Sequence, residues 1–230
     1  MNSFLEDSTF FGVVISLIGY LLGLYLKRKF KHPAFNPLLI AVVFVIVVLL
    51  LCGVQYDRYN EGATYISYLL TPATVCLALP LYQQRSLLKR HGAAILIGSL
   101  AGVLSALGSV WALSKAFGLS HEEYVTLLPK SITTAIGMGV SEELGGMVTI
   151  TVAVIIITGI LGNVMGEWLC KLFRIKQPVA KGLALGTAAH AIGTARAMEM
   201  GEVEGAISSL AIAVTGLLTV VGAAIFAHFI

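Results

Sequence analysis

One apolar stretch decides the fold of this chain: residues 182–196, GLALGTAAHAIGTAR. It approaches the length of a membrane crossing, but three glycines, two threonines, a histidine and an arginine interrupt it. Unpaired backbone groups are costly in hydrocarbon, so a broken helix at membrane depth must be buried in protein or line a wet cavity. Interrupted segments of this kind are the best pointer in a sequence to the binding site of a transporter.

A second apolar stretch, residues 69–80 (LLTPATVCLALP), is interrupted in a similar way. Pro72 and Pro80 each remove an amide donor and disrupt the preceding turn, while Thr71 and Thr74 offer hydroxyls three residues apart. One interpretation is a simple kink whose threonines bond to their own helix. The paired prolines and the counterpart in the other half favour the other interpretation, in which Thr71, Pro72 and Thr74 belong to a binding site.

Composition places the chain in a membrane. Of its 230 residues, 57% are hydrophobic and 12% are charged, whereas a soluble domain is typically about 25% charged. A transmembrane helix needs about 20 apolar residues, and the segments that reach or approach this length are 10–26, 37–53, 65–81, 92–113, 147–169, 182–198 and 205–229. The net charge of +3 reflects the placement of loops and implies no nucleic-acid partner.

The charged loops orient these segments. Basic residues cluster at 27–31, 85–90 and 171–181, and the positive-inside rule puts such loops in the cytoplasm. The resulting path starts with the N-terminus outside a bacterial plasma membrane. It leaves residues 124–146, which contain one proline and four glycines, with both ends outside, so a re-entrant hairpin is predicted there. A full span is the alternative, and it would reverse everything that follows.

The interrupted stretches 69–80 and 182–196 suggest an internal repeat, because they occupy matching positions when the two halves of the chain are aligned. The acidic loop at Asp57 then corresponds to the basic loop at Lys171, and such a reversal of charge is typical of inverted-topology repeats. The predicted fold is all-α and polytopic, with about seven transmembrane spans and one re-entrant hairpin. A single membrane domain, 1–230, comprises repeats 1–115 and 116–230, whose discontinuous helices cross near the midplane.

The predicted hairpin carries a lysine followed by hydroxyls. After Lys130 come Ser131, Thr133 and Thr134, all within about one and a half helical turns. A lysine that snorkels to the outer interface is one interpretation. An anion site, where a cation, hydroxyls and the positive end of a helix converge, is the other. Under the second interpretation these four residues bind substrate.

The stretch 182–196 carries the richest pattern. Helical spacing places Gly186, His190, Gly193 and Thr194 along one stripe, and glycines on a stripe let another backbone approach closely. Because its charge changes near neutral pH, His190 could carry a proton or hold a carboxylate. Ionisable groups inside a membrane are functional candidates by default. The alternative is a neutral histidine that bridges two helices by hydrogen bonds.

Two further residues of this stretch complete the predicted site. Thr187 adds a hydroxyl to the polar lining. Arg196 lies three residues before Glu199, a spacing that suits a structural ion pair at the outer boundary. The functional alternative for Arg196 is a bidentate clamp on a substrate carboxylate.

Catalytic and metal-binding patterns are weak. Residues 121–124, HEEY, lack the second histidine of a metalloprotease motif, and Ser141 and Ser208 have no visible His/Asp arrangement. The cysteines stand singly in apolar segments, which suits core packing better than a disulfide framework; they are Cys52, Cys76 and Cys170. We expect no enzymatic activity, no bound metal and no cofactor.

Several of these segments resemble the LrgB/CidB family, and the likeness runs essentially from end to end. They include PATV at 72–75, ALPLY at 78–82, LPKSITT at 128–134 and EGAISSL at 204–210, together with Gly145-Gly146. The most specific is KGLALGTAAHAIGTARAME at 181–199. The resemblance implies a membrane protein that works with a small LrgA/CidA-type membrane partner.

The resemblance carries two functional implications that disagree. Members are described as antiholin-like regulators of murein hydrolase export and cell lysis. Plastid relatives carry glycolate and glycerate, and bacterial pairs are linked to pyruvate. The residues favour transport, because hydroxyls with Lys130, His190 and Arg196 suit a small carboxylate. Together with the resemblance, they predict transport of small monocarboxylates such as pyruvate, glycolate or lactate. Proton coupling would rest on His190. Glycine-rich faces leave homodimerisation open.

Overall fold

The described part of the chain is helical. The computed structural model describes residues 10–30, 35, 37–69, 72, 75, 82 and 85–230. No strand occurs among these residues, so the all-α prediction is confirmed for them. The helices, in chain order, are α1 (Phe11–Phe30), α2 (Pro37–Cys52), α3 (Tyr56–Ser67), α4 (Arg85–Phe117), α5 (His121–Leu127), α6 (Thr134–Glu143), α7 (Val148–Leu172), α8 (Pro178–Met200), α9 (Glu202–Phe226) and a 3₁₀ turn (Ala227–Phe229).

Within the described ranges, four helices are long and apolar enough to cross a membrane. They cover Phe11–Phe30, Lys89–Phe117, Val148–Leu172 and Glu202–Phe229, and each contains most of one predicted span. The chain is therefore a multi-pass membrane protein. Helix α2 is apolar but has only 16 residues, and the predicted span 65–81 falls mostly outside the described residues. The predicted total of about seven spans is accordingly not reproduced.

The chain forms two compact units, residues 1–76 and 77–230. In the first unit, α1 packs against α2 and α3. Gly12 lies against the backbone of Tyr59 and Ala63, and a hydrogen bond of 2.8 Å joins Ser16 Oγ to the Tyr59 hydroxyl. Small residues on α1 thus allow close helix contacts of the kind that hold membrane helices together.

In the second unit, residues 121–146 turn back on themselves, and we name this segment hairpin A. Its exit lies beside its entry arm: the amide of Met147 donates to Thr126 Oγ1 at 2.8 Å. Thr151 Oγ1, on α7, donates to the carbonyl of Thr126 at 2.8 Å, and it lies 2.7 Å from Ser141 Oγ, from which it accepts. The chain path agrees with the hairpin that charge placement predicts for this region.

Helix α8 is a second hairpin rather than one rod, and we name it hairpin B. The backbone at His190 is not helical, with φ 45° and ψ −130°. The Glu204 backbone lies against Gly182, and the adjacent Gly205 lies against Met198. A straight helix would hold residues 182 and 198 about 24 Å apart. The two arms of hairpin B therefore run antiparallel, side by side along α9.

This reversal corrects the predicted path through the membrane. The segment 182–198 does not cross, because its second arm returns to the end of the unit where its first arm starts. Helix α9 then begins beside Lys181 and runs to the end that holds the start of hairpin A, where the Tyr124 hydroxyl donates to the carbonyl of Phe226 at 2.8 Å. Helix α9 is therefore the candidate span that follows α7, with no crossing by 182–198 between them.

The core of the second unit lies between α4, hairpin A and α9. Leu107, Tyr124, Leu128 and Ala223 are fully or almost fully buried in one apolar cluster. Burial of a large apolar side chain stabilises a fold by about 1.5–3 kcal/mol in water, and in a membrane the same packing holds helices together by contact. This cluster fixes hairpin A against α9 and so positions its tip.

Candidate functional site

The candidate site lies where the tips of the two hairpins meet. Close backbone packing forms hairpin B: Gly193 in its returning arm lies against the carbonyl of Leu185 in its first arm, and Gly186 lies against the carbonyl of Ser208 on α9. A methyl group at either glycine would overlap these backbone atoms. The glycine stripe read from the sequence therefore serves backbone contact and places His190 at the tip.

His190 is buried, with 3% of its surface exposed, and both of its ring nitrogens are hydrogen-bonded. Nε2 lies 2.8 Å from Thr215 Oγ1 on α9, and Nδ1 lies 2.9 Å from Thr133 Oγ1 on hairpin A. Thr215 donates its hydroxyl hydrogen to the carbonyl of Ala211 at 2.7 Å, so it accepts from Nε2–H. In the neutral ring, Nδ1 then accepts from the Thr133 hydroxyl.

The structure thus contains the bridging histidine that the sequence left as one of two interpretations. The backbone of His190 lies in a region that favours glycine, which costs a non-glycine residue about 1–3 kcal/mol. Its two side-chain hydrogen bonds offset this cost. On α7, Asn163 Nδ2 donates to the carbonyl of Ile192 at 2.8 Å, which further stabilises the chain just beyond the reversal.

A cavity of about 650 Å³ lies beside the tips, between α4, α7 and the first arm of hairpin B. On α4, Gly98 lies against Leu183 and Gly102 against Thr187, so later residues of α4 lie beyond the tip of hairpin B. The cavity wall therefore has two ends. The polar end consists of Ser105, Ser109, Lys130, Ser131 and Thr158, and the apolar end of Met165, Leu169, Ala180, Leu183 and Ala184.

Lys130 is the cation of the polar end. Its Nζ donates to Ser131 Oγ at 3.0 Å, and no carboxylate of the described residues forms an ion pair with it. Thr187 and Ser109 donate their hydroxyl hydrogens to carbonyls of their own helices, so they can only accept. Lys130 is consequently the group at this end best suited to bind an anion.

The N-terminus of α6 lies next to these groups in the chain. Thr133 occupies the N-cap position, but its side chain makes no capping bond, because it bonds His190 instead. Thr134 is the first residue of α6 and is partly buried. The first amides of a helix without a cap lack partners within the helix, and they favour negative charge.

Arg196 lies away from this cavity, at the open end of hairpin B. Its Nη1 donates to Glu199 Oε2 at 2.7 Å, and its Nη2 donates to Glu167 on α7. The structural pair with Glu199 that the sequence suggested is present. Because Lys181 lines the same small cavity of about 250 Å³, the pair lies at the end of the unit that carries the basic loop 171–181. The prediction placed it at the end opposite this loop.

The remaining predicted residues have varied positions. Thr194 Oγ1 and Ser208 Oγ, 2.7 Å apart, fasten the returning arm of hairpin B to α9. Thr71 and Thr74 lie outside the described residues, and Pro72 is exposed. The second unit therefore brings together Lys130, Ser131, Thr133, Thr187 and His190 around the hairpin tips. Their contact with a substrate stays a prediction.

The sequence analysis missed Thr215, Asn163 and Glu167, which position the hairpins. A signal was available, since each is polar within an apolar span and such groups are expensive in a membrane unless they are paired. Within the part of the chain that the structure describes, no three histidine, cysteine, aspartate or glutamate side chains are grouped to hold a metal ion.

Comparisons with known proteins point to one family. The profile of the LrgB-like family matches residues 16–229. A Staphylococcus epidermidis protein named holin-like protein CidB is 40% identical over 219 residues, 95% of each chain. A Bacillus mycoides protein named antiholin-like protein LrgB is 41% identical over 225 residues, 96% of each chain. A Staphylococcus aureus holin-like protein CidB is 41% identical over 207 residues. No solved structure matches the chain.

Proposed function

This chain belongs to the LrgB-like family, and we propose that it carries small monocarboxylates such as pyruvate, glycolate or lactate across the bacterial plasma membrane. The observation that carries the proposal is Lys130, a partly buried cation at the polar end of a cavity, without a carboxylate partner among the described residues. A partly buried cation is stabilised by a nearby negative charge, and a substrate carboxylate would supply that charge.

The arrangement of the hairpins suits a carrier better than an open pore. Hairpin A and hairpin B enter the second unit from opposite ends, and their tips are joined through Thr133 and His190. Many secondary transporters bind substrate at interrupted helices near the middle of the membrane and expose that site to one side at a time. We propose that the joined tips separate the two sides in the same manner.

Proton linkage is part of the proposal. A proton on Nδ1 of His190 would turn the ring into a donor to Thr133, which frees the Thr133 hydroxyl hydrogen for a substrate oxygen. None of the charged groups on the surrounding elements bonds to the imidazole in the described residues. On hairpin A these groups are His121, Glu122, Glu123, Lys130, Glu142 and Glu143. They are Glu167 and Lys171 on α7, Glu202 and Glu204 on α9, and Arg85, Lys89, Arg90, His91 and Lys115 on α4.

A second candidate function comes from the relatives. Their names, holin-like CidB and antiholin-like LrgB, support a role in regulating murein hydrolase export and lysis more directly than they support transport. In that role the chain would act with an LrgA/CidA-type membrane protein. Such a partner is compatible with both candidates, so its presence alone does not separate them.

Uptake into membrane vesicles separates the two candidates. Vesicles from cells that produce the chain, with and without an LrgA/CidA-type partner, receive labelled pyruvate or glycolate, and the lysis rate of the same cells is recorded. We expect uptake by the wild type and by a control Lys115→Ala, and at least about a tenfold loss (about 1.4 kcal/mol) in Lys130→Ala and His190→Ala. Equal uptake by all four would reject the site, and altered lysis without any uptake would favour the regulatory function.

A further inference from the structure

The two-ended cavity defines a narrower class of ligand, and we propose that the site prefers monocarboxylates whose tail is a hydrocarbon chain of several carbons. This inference rests on the proposed function for the identity of the site, and it deepens that proposal by ranking the substrates. Acids with an alkyl or branched alkyl tail should bind more tightly than the two- and three-carbon acids glycolate and pyruvate.

The first argument is that the cavity offers only one place for a charged group. Among the described residues that line it, Lys130 is the single lysine or arginine, and Ser131 beside it is buried. The hydroxyl hydrogens of Ser109 and Thr187 are committed to backbone carbonyls. The other lining hydroxyls, of Ser105 and Thr158, also belong to the polar end. A second carboxylate carried at the far end of a ligand would therefore enter the apolar end without a donor, and a polar group buried without a hydrogen bond is unfavourable.

The second argument is the length of the apolar end. Gly162 on α7 lies against Ala189 near the tip of hairpin B, and Gly166 lies against Leu185 one turn further away. The cavity continues past this level, because Ala180 and Leu169 also line it. From Ala188 to Ala180 the first arm of hairpin B spans eight residues, or about 12 Å. A two- or three-carbon acid held at Lys130 would leave this end empty.

The third argument is the character of the lining. Between its ends the cavity is lined by small and aliphatic residues, and small residues give an alkyl chain room without adding a competing donor or acceptor. Each methylene buried in such an environment contributes a factor of about four in affinity. The residues that line this middle region are Gly98, Gly102, Ala106, Leu161, Gly162 and Ala188.

The test is a chain-length series measured by equilibrium binding to the full chain in lipid nanodiscs. The probes are acetate, propionate, butyrate, valerate and hexanoate, with succinate and glycolate as polar-tailed comparisons. We expect about a fourfold gain per methylene, and weaker binding of succinate and glycolate than of butyrate. A series with no gain per methylene, or succinate binding as tightly as butyrate, would overturn the proposal.

Three variants separate the cavity from partitioning into lipid. Ala184→Leu fills the apolar end and should abolish the gain beyond propionate, whereas Ala112→Leu, on α4 outside the cavity lining, should keep it. Lys130→Gln should weaken the binding of every acid in the series by a similar factor. A gain that survives in Ala184→Leu would show lipid partitioning and overturn the proposal.

Uptake of labelled pyruvate is measured in parallel. An intact binding series without any uptake would refute carriage but support the ligand preference. A flat series in a protein that still takes up pyruvate would refute the preference alone. The two proposals therefore fail separately.

Discussion

Thr133 Oγ1 lies 2.9 Å from Nδ1 of His190, and this hydrogen bond joins the tips of two hairpins that enter one helical unit from opposite ends. On its other side the same imidazole bonds Thr215 of α9 at 2.8 Å. His190 thus connects three elements at the level where a cavity begins. Its backbone is strained in the conformation that allows this, so the side chain and the reversal of the chain depend on each other.

The strain at His190 predicts an unusual order of variants. In an ordinary helix, a variant with alanine at a given position is more stable than the variant with glycine by about 1 kcal/mol. Here φ is 45°, so we expect His190→Gly to be more stable than His190→Ala, with both variants below the wild type by about 2 kcal/mol because two hydrogen bonds are lost. Unfolding of the purified variants by heat measures the order. Alanine above glycine would contradict the reversal.

The close packing within hairpin B predicts opposite effects for two glycines. At Gly193 a Cβ atom would overlap the carbonyl of Leu185, whereas at Gly108 on α4 it would meet open space. We expect Gly193→Ala to destabilise the protein by about 1–3 kcal/mol, and Gly108→Ala to be neutral or stabilising by about 0.5–1 kcal/mol. Thermal unfolding of the pair measures this, and equal effects would argue against an antiparallel hairpin.

The reversal at His190 also predicts which residues share a side of the membrane. In a chain whose native cysteines are replaced, single cysteines at Lys176 and Glu202 should react with an impermeant maleimide from the same side, and a cysteine at Lys115 from the opposite side. This follows because both arms of hairpin B end near Glu204. If the cysteine at position 202 were labelled from the same side as the one at position 115, the segment 182–198 would have to cross the membrane completely, and the reversal would be contradicted.

The entry to hairpin A predicts a dependence on pH. Glu123 Oε2 accepts hydrogen bonds from the Ser120 amide at 2.8 Å and from its hydroxyl at 2.9 Å, and these bonds lower the pKa of Glu123 below its ordinary value. A carboxyl with a lowered pKa stabilises the folded state above its unfolded pKa, and this contribution is lost as the pH falls through the folded pKa.

We therefore expect Glu123→Gln to melt at a lower temperature than the wild type at neutral pH. The difference in melting temperature should disappear as the pH falls through the lowered pKa of Glu123, where the wild-type carboxyl becomes protonated. Glu122→Gln, which lacks these bonds, is the control. A gap that stays constant across this pH range would contradict the role of the charge.

Sequence reasoning located the break in 182–196 because glycines and a histidine are out of place in an ordinary span. It did not locate the reversal, since 17 to 20 apolar residues fit either one crossing or two short arms. The charge of the loop after this segment could not distinguish one crossing from two arms either, because Arg196 and Glu199 neutralise each other. The decisive contacts, between Gly193 and Leu185 and between Gly182 and Glu204, are tertiary.

For the site, the sequence supplied Lys130, Ser131, Thr187 and His190, because polar residues in apolar segments stand out. It could not assign Arg196, whose pairing with Glu167 depends on how hairpin B packs against α7. The division of the cavity into polar and apolar ends was also beyond it. That division depends on the levels at which α4 and α7 pass the hairpin tip.

The most direct test of the account is pyruvate exchange in liposomes that contain the purified chain, with its LrgA/CidA-type partner added in a parallel series. Labelled pyruvate outside is exchanged against unlabelled pyruvate inside, for the wild type, Lys130→Gln and the matched control Lys115→Gln. The account predicts exchange by the wild type and by Lys115→Gln, and a loss of at least about tenfold (about 1.4 kcal/mol) in Lys130→Gln. Equal exchange in all three, or none in any, would contradict it.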